Sequence, residues 1–442
     1  MIRVLQRFAA LLGVFALLVP VTGCPTGRGD DDDTTDDDDA VDDDDAADDD
    51  DGTGECLDGS RVFRGELAFG PLSTPGDFEA FCADYDAVEG NLGISGLNLS
   101  TLEGLDCLCG VSGFVWLFEN QSLVTLDGLQ GLQYIGGSLR LERNFALANI
   151  SNLAALTEVG GELRVEENHS LQSLTGFNNL DVVGEGVMIL SNSALADTTG
   201  LQGVTSIGGD LILDDNEVLN NFSGPPSLAS LGGVLEITNN AGLNAVAGFN
   251  ELAEIATAIP IGSTGYEVRV ANNPNLISFA GFPQIGTMPI GLYIQGGPAL
   301  AWSAFAGVSV IQGKLELRGF GANSSITGLN NLRSVVADLI VEDFQGTTLP
   351  LASVATVGGT LRIRNDSQIV DLNGLAGMTS VGADLVIDNN DNLTSLLGLH
   401  GLATVGGNFQ VTSNDQIQNA QAEGLRDAIG EQNIGGSVTI SN

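Results

Sequence analysis

Residue types that carry chemistry are scarce in this 442-residue chain, and their spacing limits what they can do. The two histidines, His169 and His400, lie far in sequence from the cysteines, so no zinc site is expected. There is no G-x-S-x-G elbow, no H-E-x-x-H motif and no Walker A sequence. A polysaccharide-cleaving site would need clustered carboxylates for calcium with a basic residue beside them. The acids here are instead spread along the chain. No catalytic residue, cofactor or metal is therefore expected. Cys56, Cys82, Cys107 and Cys109 offer oxidative chemistry, and disulfides near one end of an exported chain are the economical use of them. Three pairings are possible. A Cys107–Cys109 bridge would close a very tight ring, so each is expected to pair with Cys56 or Cys82.

The remaining chemistry belongs to amides, arginines and aromatics, and a repeat positions them. IGGSLRLERN (residues 135–144) recurs as VGGELRVEEN (159–168), IGGDLILDDN (207–216), VGADLVIDNN (381–390) and VGGNFQVTSN (405–414). Each copy is a glycine turn, a short alternating strand and an asparagine. A leucine-rich phrase containing, for example, Leu126, Leu129 and Leu132 separates the copies. A fixed period of this size predicts a mainly β solenoid whose coils share one core. Fifteen rungs are expected, from Leu92 to Val438, and stacking at about 4.8 Å makes a body roughly 70 Å long.

Within a rung the first and third residues should point inward, as Leu139 and Leu141, leaving Arg140 outside. The glycines before each strand are expected to permit a corner. The asparagine after it (Asn120, Asn144, Asn168, Asn192, Asn216, Asn240, Asn273, Asn390, Asn414) should turn inward and bond backbone groups of the next coil. That ladder lapses at Gly297, Phe320, Phe344 and Asp366, which predicts a less regular middle. The outward residues Trp116, Phe118, Arg140, Arg164, Met188, Ile212 and Tyr293 form a candidate ligand face, because aromatics and arginine dominate the energetic centres of protein contacts. The competing expectation is a solvated sheet with diagonal salt bridges worth ~1 kcal/mol or less each.

The pattern G-x-L-x-I-x-x-N, with an L-x-x-L-x-G-L-x-x-L phrase between copies, resembles the receptor L-domain. The resemblance covers residues 82–442. It implies a right-handed, leucine-rich-repeat-like β-helix of the kind that forms ligand-binding lobes of growth-factor receptors. Related arrays occur on fungal cell walls and in bacterial lipoproteins, so it also implies a surface role. The sequence has no kinase and no second membrane segment, and nothing of receptor signalling carries over.

At the N-terminus, Arg3 and Arg7 precede an apolar run too short for a comfortable membrane span. Residues 21–24, Val-Thr-Gly-Cys, resemble a bacterial lipobox. That resemblance implies a signal peptide over 1–23, lipidation of Cys24 and, with Pro25 following, sorting to the outer membrane. Residues 24–55 contain four blocks of four aspartates and read as a solvated tether. An EF-hand frame around Gly52 fails at Ala47, so calcium is not expected. The formal charge is −42; without the sixteen tether aspartates and Arg3, Arg7 and Arg28 the remainder still carries −29, which argues against nucleic acid.

Residues 56–87 read as an irregular cap with a short helix, and 88–442 as the solenoid. An insertion over 256–265 and an amphipathic helix over about 418–429 complete the plan. The expected protein is a lipid-anchored module of the bacterial envelope. It displays a long sheet face to a protein or glycan partner. The alternative is a passive structural component without a dedicated ligand.

Overall fold

A computed structural model describes residues 54–57, 61–255 and 265–442. The signal segment, Cys24, the aspartate blocks and residues 256–264 of the insertion lie outside the described residues. From the cap onward the chain is a β-solenoid. Its long face is a sheet of sixteen parallel strands, in which each strand pairs with its counterparts one coil before and one coil after. Register is kept throughout: Trp116 lies beside Arg140, Arg140 beside Arg164, and Arg164 beside Met188. The 33-residue step at the insertion leaves it intact, with Leu235 opposite Val268.

Alternation does what a half-buried strand requires. Leu139 and Leu141 are 1% and 0% exposed, while Arg140 between them reaches solvent. Leu126, Leu129 and Leu132 are buried with them in one continuous core. No coil could bury these leucines alone, so the neighbouring coils are the core.

The ends and the middle depart from the repeat. The cap carries more order than expected. Val62–Arg64 and Leu67–Phe69 pair with Ala87–Glu89 and Leu92–Ser95, so the long sheet begins one rung before Leu92. These strands lack the repeat's sequence yet keep its parallel register against coil 87–95. A helix, Pro75–Asp84, follows. Thr74 and Asp77 form its capping box, and Phe78 and Phe81 are buried. At the other end Asn419–Ile429 is helical and buries Ala422, Leu425 and Ile429.

In the middle, the 3₁₀ turns of the outer coils (Thr175–Phe177, Leu397–Leu399) give way to a separate sheet of five strands, from Asn221–Gly224 to Ser325–Ile326. Aromatic rings fill the wider interior there. Phe282 stacks between Phe249 and Phe305 at centroid distances of 4.6 and 4.5 Å.

The corners work differently from the expectation. The left-handed backbone falls on the residue after each strand, as in Glu119 (φ 54°), Arg143 (57°) and Glu167 (54°), and not on the glycines before it. Those glycines serve close approach. A Cβ on Gly160 would overlap the carbonyl oxygen of Gly136, and one on Gly184 that of Gly160. The glycine column lets successive coils touch backbone to backbone.

Candidate functional site

Sheet register brings Trp116, Arg140, Arg164, Met188 and Ile212 into one column. The column continues through Glu236 and Arg269 to Tyr293. Phe118 stands in the next column, with its ring centroid 4.8 Å from that of Trp116. All seven candidates are half-buried. The aromatic pair is held from the side: Trp116 Nε1 donates to Glu142 Oε2 at 3.0 Å, and the Arg143 guanidinium sits 5.9 Å above the Phe118 ring. Burial pushes the Glu142 carboxyl above its ordinary value, against the opposing pull of the Trp116 hydrogen bond and of Arg164 and Arg140.

The arginines are less available than the column by itself implied. Arg164 donates from Nε to Glu162 at 2.8 Å, from Nη1 to Glu166 at 2.5 Å, and from Nη2 to the Met188 sulfur at 2.9 Å; its side chain is 20% exposed. Burial works against its charge, but the bonds to Glu162 and Glu166 win and raise its pKa. Arg140 is looser, 3.6 Å from Glu162 and 37% exposed. Arg269 pairs with Glu236 at 2.6 Å and covers the Tyr293 ring at 5.5 Å. Burial is the main cause of the raised Tyr293 hydroxyl pKa.

A second charged cluster was not anticipated. Glu316 and Glu342, outward by alternation, are 6% and 5% exposed, because Arg318 bridges them and Arg364 covers Glu342. Tyr266, at the exit of the insertion, donates its hydroxyl to Glu316. Their column positions were readable in the sequence. The lid was not, since it depends on which arginine folds over which acid.

The asparagine ladder is continuous over the first coils. The N–H of Asn144 donates to Asn168 Oδ1 at 3.0 Å, and Asn168 donates likewise to Asn192. Each side-chain amide also donates to a strand carbonyl one coil back, as Asn168 Nδ2 to Leu141 O at 2.8 Å. Asn120, Asn192, Asn216, Asn390 and Asn414 repeat both bonds. Phe320 and Phe344 turn inward where amides are missing. Asp366 does not interrupt the ladder: it is fully buried and takes an amide's place. The cysteines pair as Cys56–Cys109 and Cys82–Cys107 beside the first coils. Among the described residues no group of three or more His, Cys, Asp or Glu is placed to hold a metal ion.

Neither the protein-family models nor the curated proteins searched contain a match to this chain. The column offers an aromatic pair and a loosely held arginine on a stiff sheet.

Proposed function

We propose that this chain is a lipid-anchored binding or adhesion module of the bacterial envelope, held at the outer membrane through Cys24 and presenting its long sheet to a protein or glycan. The reading is non-enzymatic and involves neither cofactor nor nucleic acid. The observation that carries it is the Trp116–Phe118 pair. Two large rings stand half-exposed side by side on a rigid surface, oriented by Glu142 and Arg143 before any partner arrives. Pre-ordered aromatic surface of this kind lowers the entropic cost of contact. The acidic tether suits the same role by lifting the body off the membrane.

The alternative, a structural component without a dedicated ligand, draws on the engagement of Arg164 and Arg269 with acids of their own sheet. Trp116→Ala and Arg140→Ala separate the two readings. Both side chains lie outside the core, so thermal stability should hold. Retention on glycan or protein arrays, or on envelope preparations, should fall at least tenfold for a binding module. Unchanged retention in both variants favours the structural role.

A further inference from the structure

Of the fourteen coil corners from Leu97 to Asn414, eleven share one device: the backbone N–H donates to the side-chain oxygen at the equivalent corner of the next coil. Three consecutive ones do not. Asn240 still donates to Asn273 Oδ1 at 3.0 Å, and the device resumes where Phe344 donates to Asp366 Oδ1 at 2.6 Å. Between them, the N–H groups of Asn273, Gly297 and Phe320 meet no acceptor among the described residues, because the next corners carry Gly297, Phe320 and Phe344. Asn273 and Gly297 are buried in the fold, so their donors are costly to leave unmatched.

A groove of about 600 Å³ lies over this break. Its walls include Asn272, Asn273, Gln295 and Gly297, with Pro274 and Pro298 following the ladder position in two successive coils. Gly296 also departs from the regular corner. It lacks the left-handed backbone that Asn272 (φ 56°) and Gly319 (φ 63°) adopt on either side. Gln295 Oε1 accepts the Asn272 N–H at 3.1 Å, leaving its Nε2 as a further donor. Asn272 Nδ2 is used on Asn239, leaving Asn272 Oδ1 as an acceptor.

We propose that this groove binds an uncharged glycan, with an acetamido or hydroxyl oxygen taking the place of the missing ladder oxygen above Asn273, where the next corner, Gly297, carries no side chain. No charged side chain lines it. An anion would find no cation to pair with on a body that carries −29. A cation would face N–H donors. A peptide strand would bring as many N–H groups as carbonyls to a row made of donors, whereas hydroxyls serve either way. The exposed faces of Pro274 and Pro298 suit the C–H face of a pyranose. This site is separate from the Trp116 face, and each can fail without the other.

The test is amide NMR on the full-length protein with chitotriose, cellotriose and acetyl-trialanine amide as probes, each at about 10 mM, where a millimolar site is filled. One of the saccharides should shift the Asn273 and Gly297 amides saturably. Gly297→Asn restores a ladder oxygen and fills the groove, so it should abolish the shifts while raising Tm. Gln295→Ala should weaken binding severalfold at unchanged Tm. Trp116→Ala should leave the shifts as they are. The proposal is overturned if neither saccharide moves the two amides, if Gly297→Asn binds as well as the parent, or if the peptide alone binds.

Discussion

The N–H of Asp366 donates to Oδ1 of Asn390 at 3.0 Å, which puts a carboxylic acid in a ladder otherwise built of amides. Its Oδ1 accepts the Phe344 N–H, but Oδ2 is buried without a hydrogen-bond partner. Every complete ladder amide has a donor at that point; Asn390 Nδ2 uses its own on Ile363 O. Burial accordingly pushes the Asp366 carboxyl up to about 8, despite the Phe344 N–H pulling it down. The neutral acid, which has one donor, is the form that imitates asparagine.

That geometry makes stability depend on pH. Asp366 and Glu267, which burial also pushes up to about 8, both have folded-state values above their ordinary ones. Their contribution is complete below about pH 4, where both folded and unfolded chains hold the proton. It is lost as pH rises towards 8. Asp366→Asn supplies the missing donor permanently. At pH 8 it should stabilise by about 1–3 kcal/mol, and the slope of Tm between pH 5 and 8 should flatten. A slope unchanged by the substitution would mean that Asp366 is ionised in the fold.

Removing a working ladder amide should do the reverse. Asn168→Ala leaves the Asn144 N–H and the Leu141 carbonyl without their partner inside the core. Denaturant unfolding should register a loss of about 2–4 kcal/mol, at roughly 1–3 per unmatched buried group. Hydrogen exchange should quicken first at Asn144. An exposed asparagine such as Asn179 serves as the control.

The glycine column gives a steric prediction. Gly184→Ala places a methyl against the Gly160 carbonyl, an overlap that only separation of two coils relieves. Overpacking of this kind costs about 1–3 kcal/mol. Gly424→Ala, in the last helix with nothing within 4 Å of the new methyl, should be neutral or stabilising by up to about 1 kcal/mol. Equal losses from both would remove the close-approach argument.

The disulfides should act locally. Cys56–Cys109 and Cys82–Cys107 span 53 and 25 residues, all within the first coils. Reduction, or Cys82→Ser with Cys107→Ser, should cost about 2–5 kcal/mol in that region. Amides in Leu92–Ser95 should lose protection against exchange, while those in Leu385–Asp388 keep it, since repeat arrays are stabilised by nearest neighbours.

Much of the architecture was legible before any coordinates. The period, the inward leucines, the row of asparagines and the terminal helix are local patterns, and each repeats because a single coil cannot hide its apolar side chains. The left-handed corner was not legible. It accepts Glu, Arg, Ser, Asp or Asn, so no single residue type marks it in the sequence. Asp366 reads as an interruption in the sequence because only its protonated form offers an asparagine-like donor, and burial decides whether the carboxyl keeps that proton.

The chain's pattern therefore determined that coils stack, which residues face inward, and which column holds Trp116 and Arg140. Tertiary structure decided what register alone leaves free: that Arg164 is consumed by Glu162 and Glu166, that Tyr266 reaches Glu316, and that a groove opens where three N–H groups lose their acceptors. Periodicity fixes which way a side chain points, since that follows from one strand. What it meets there depends on neighbours a full coil away, where burial and charge choose the partner.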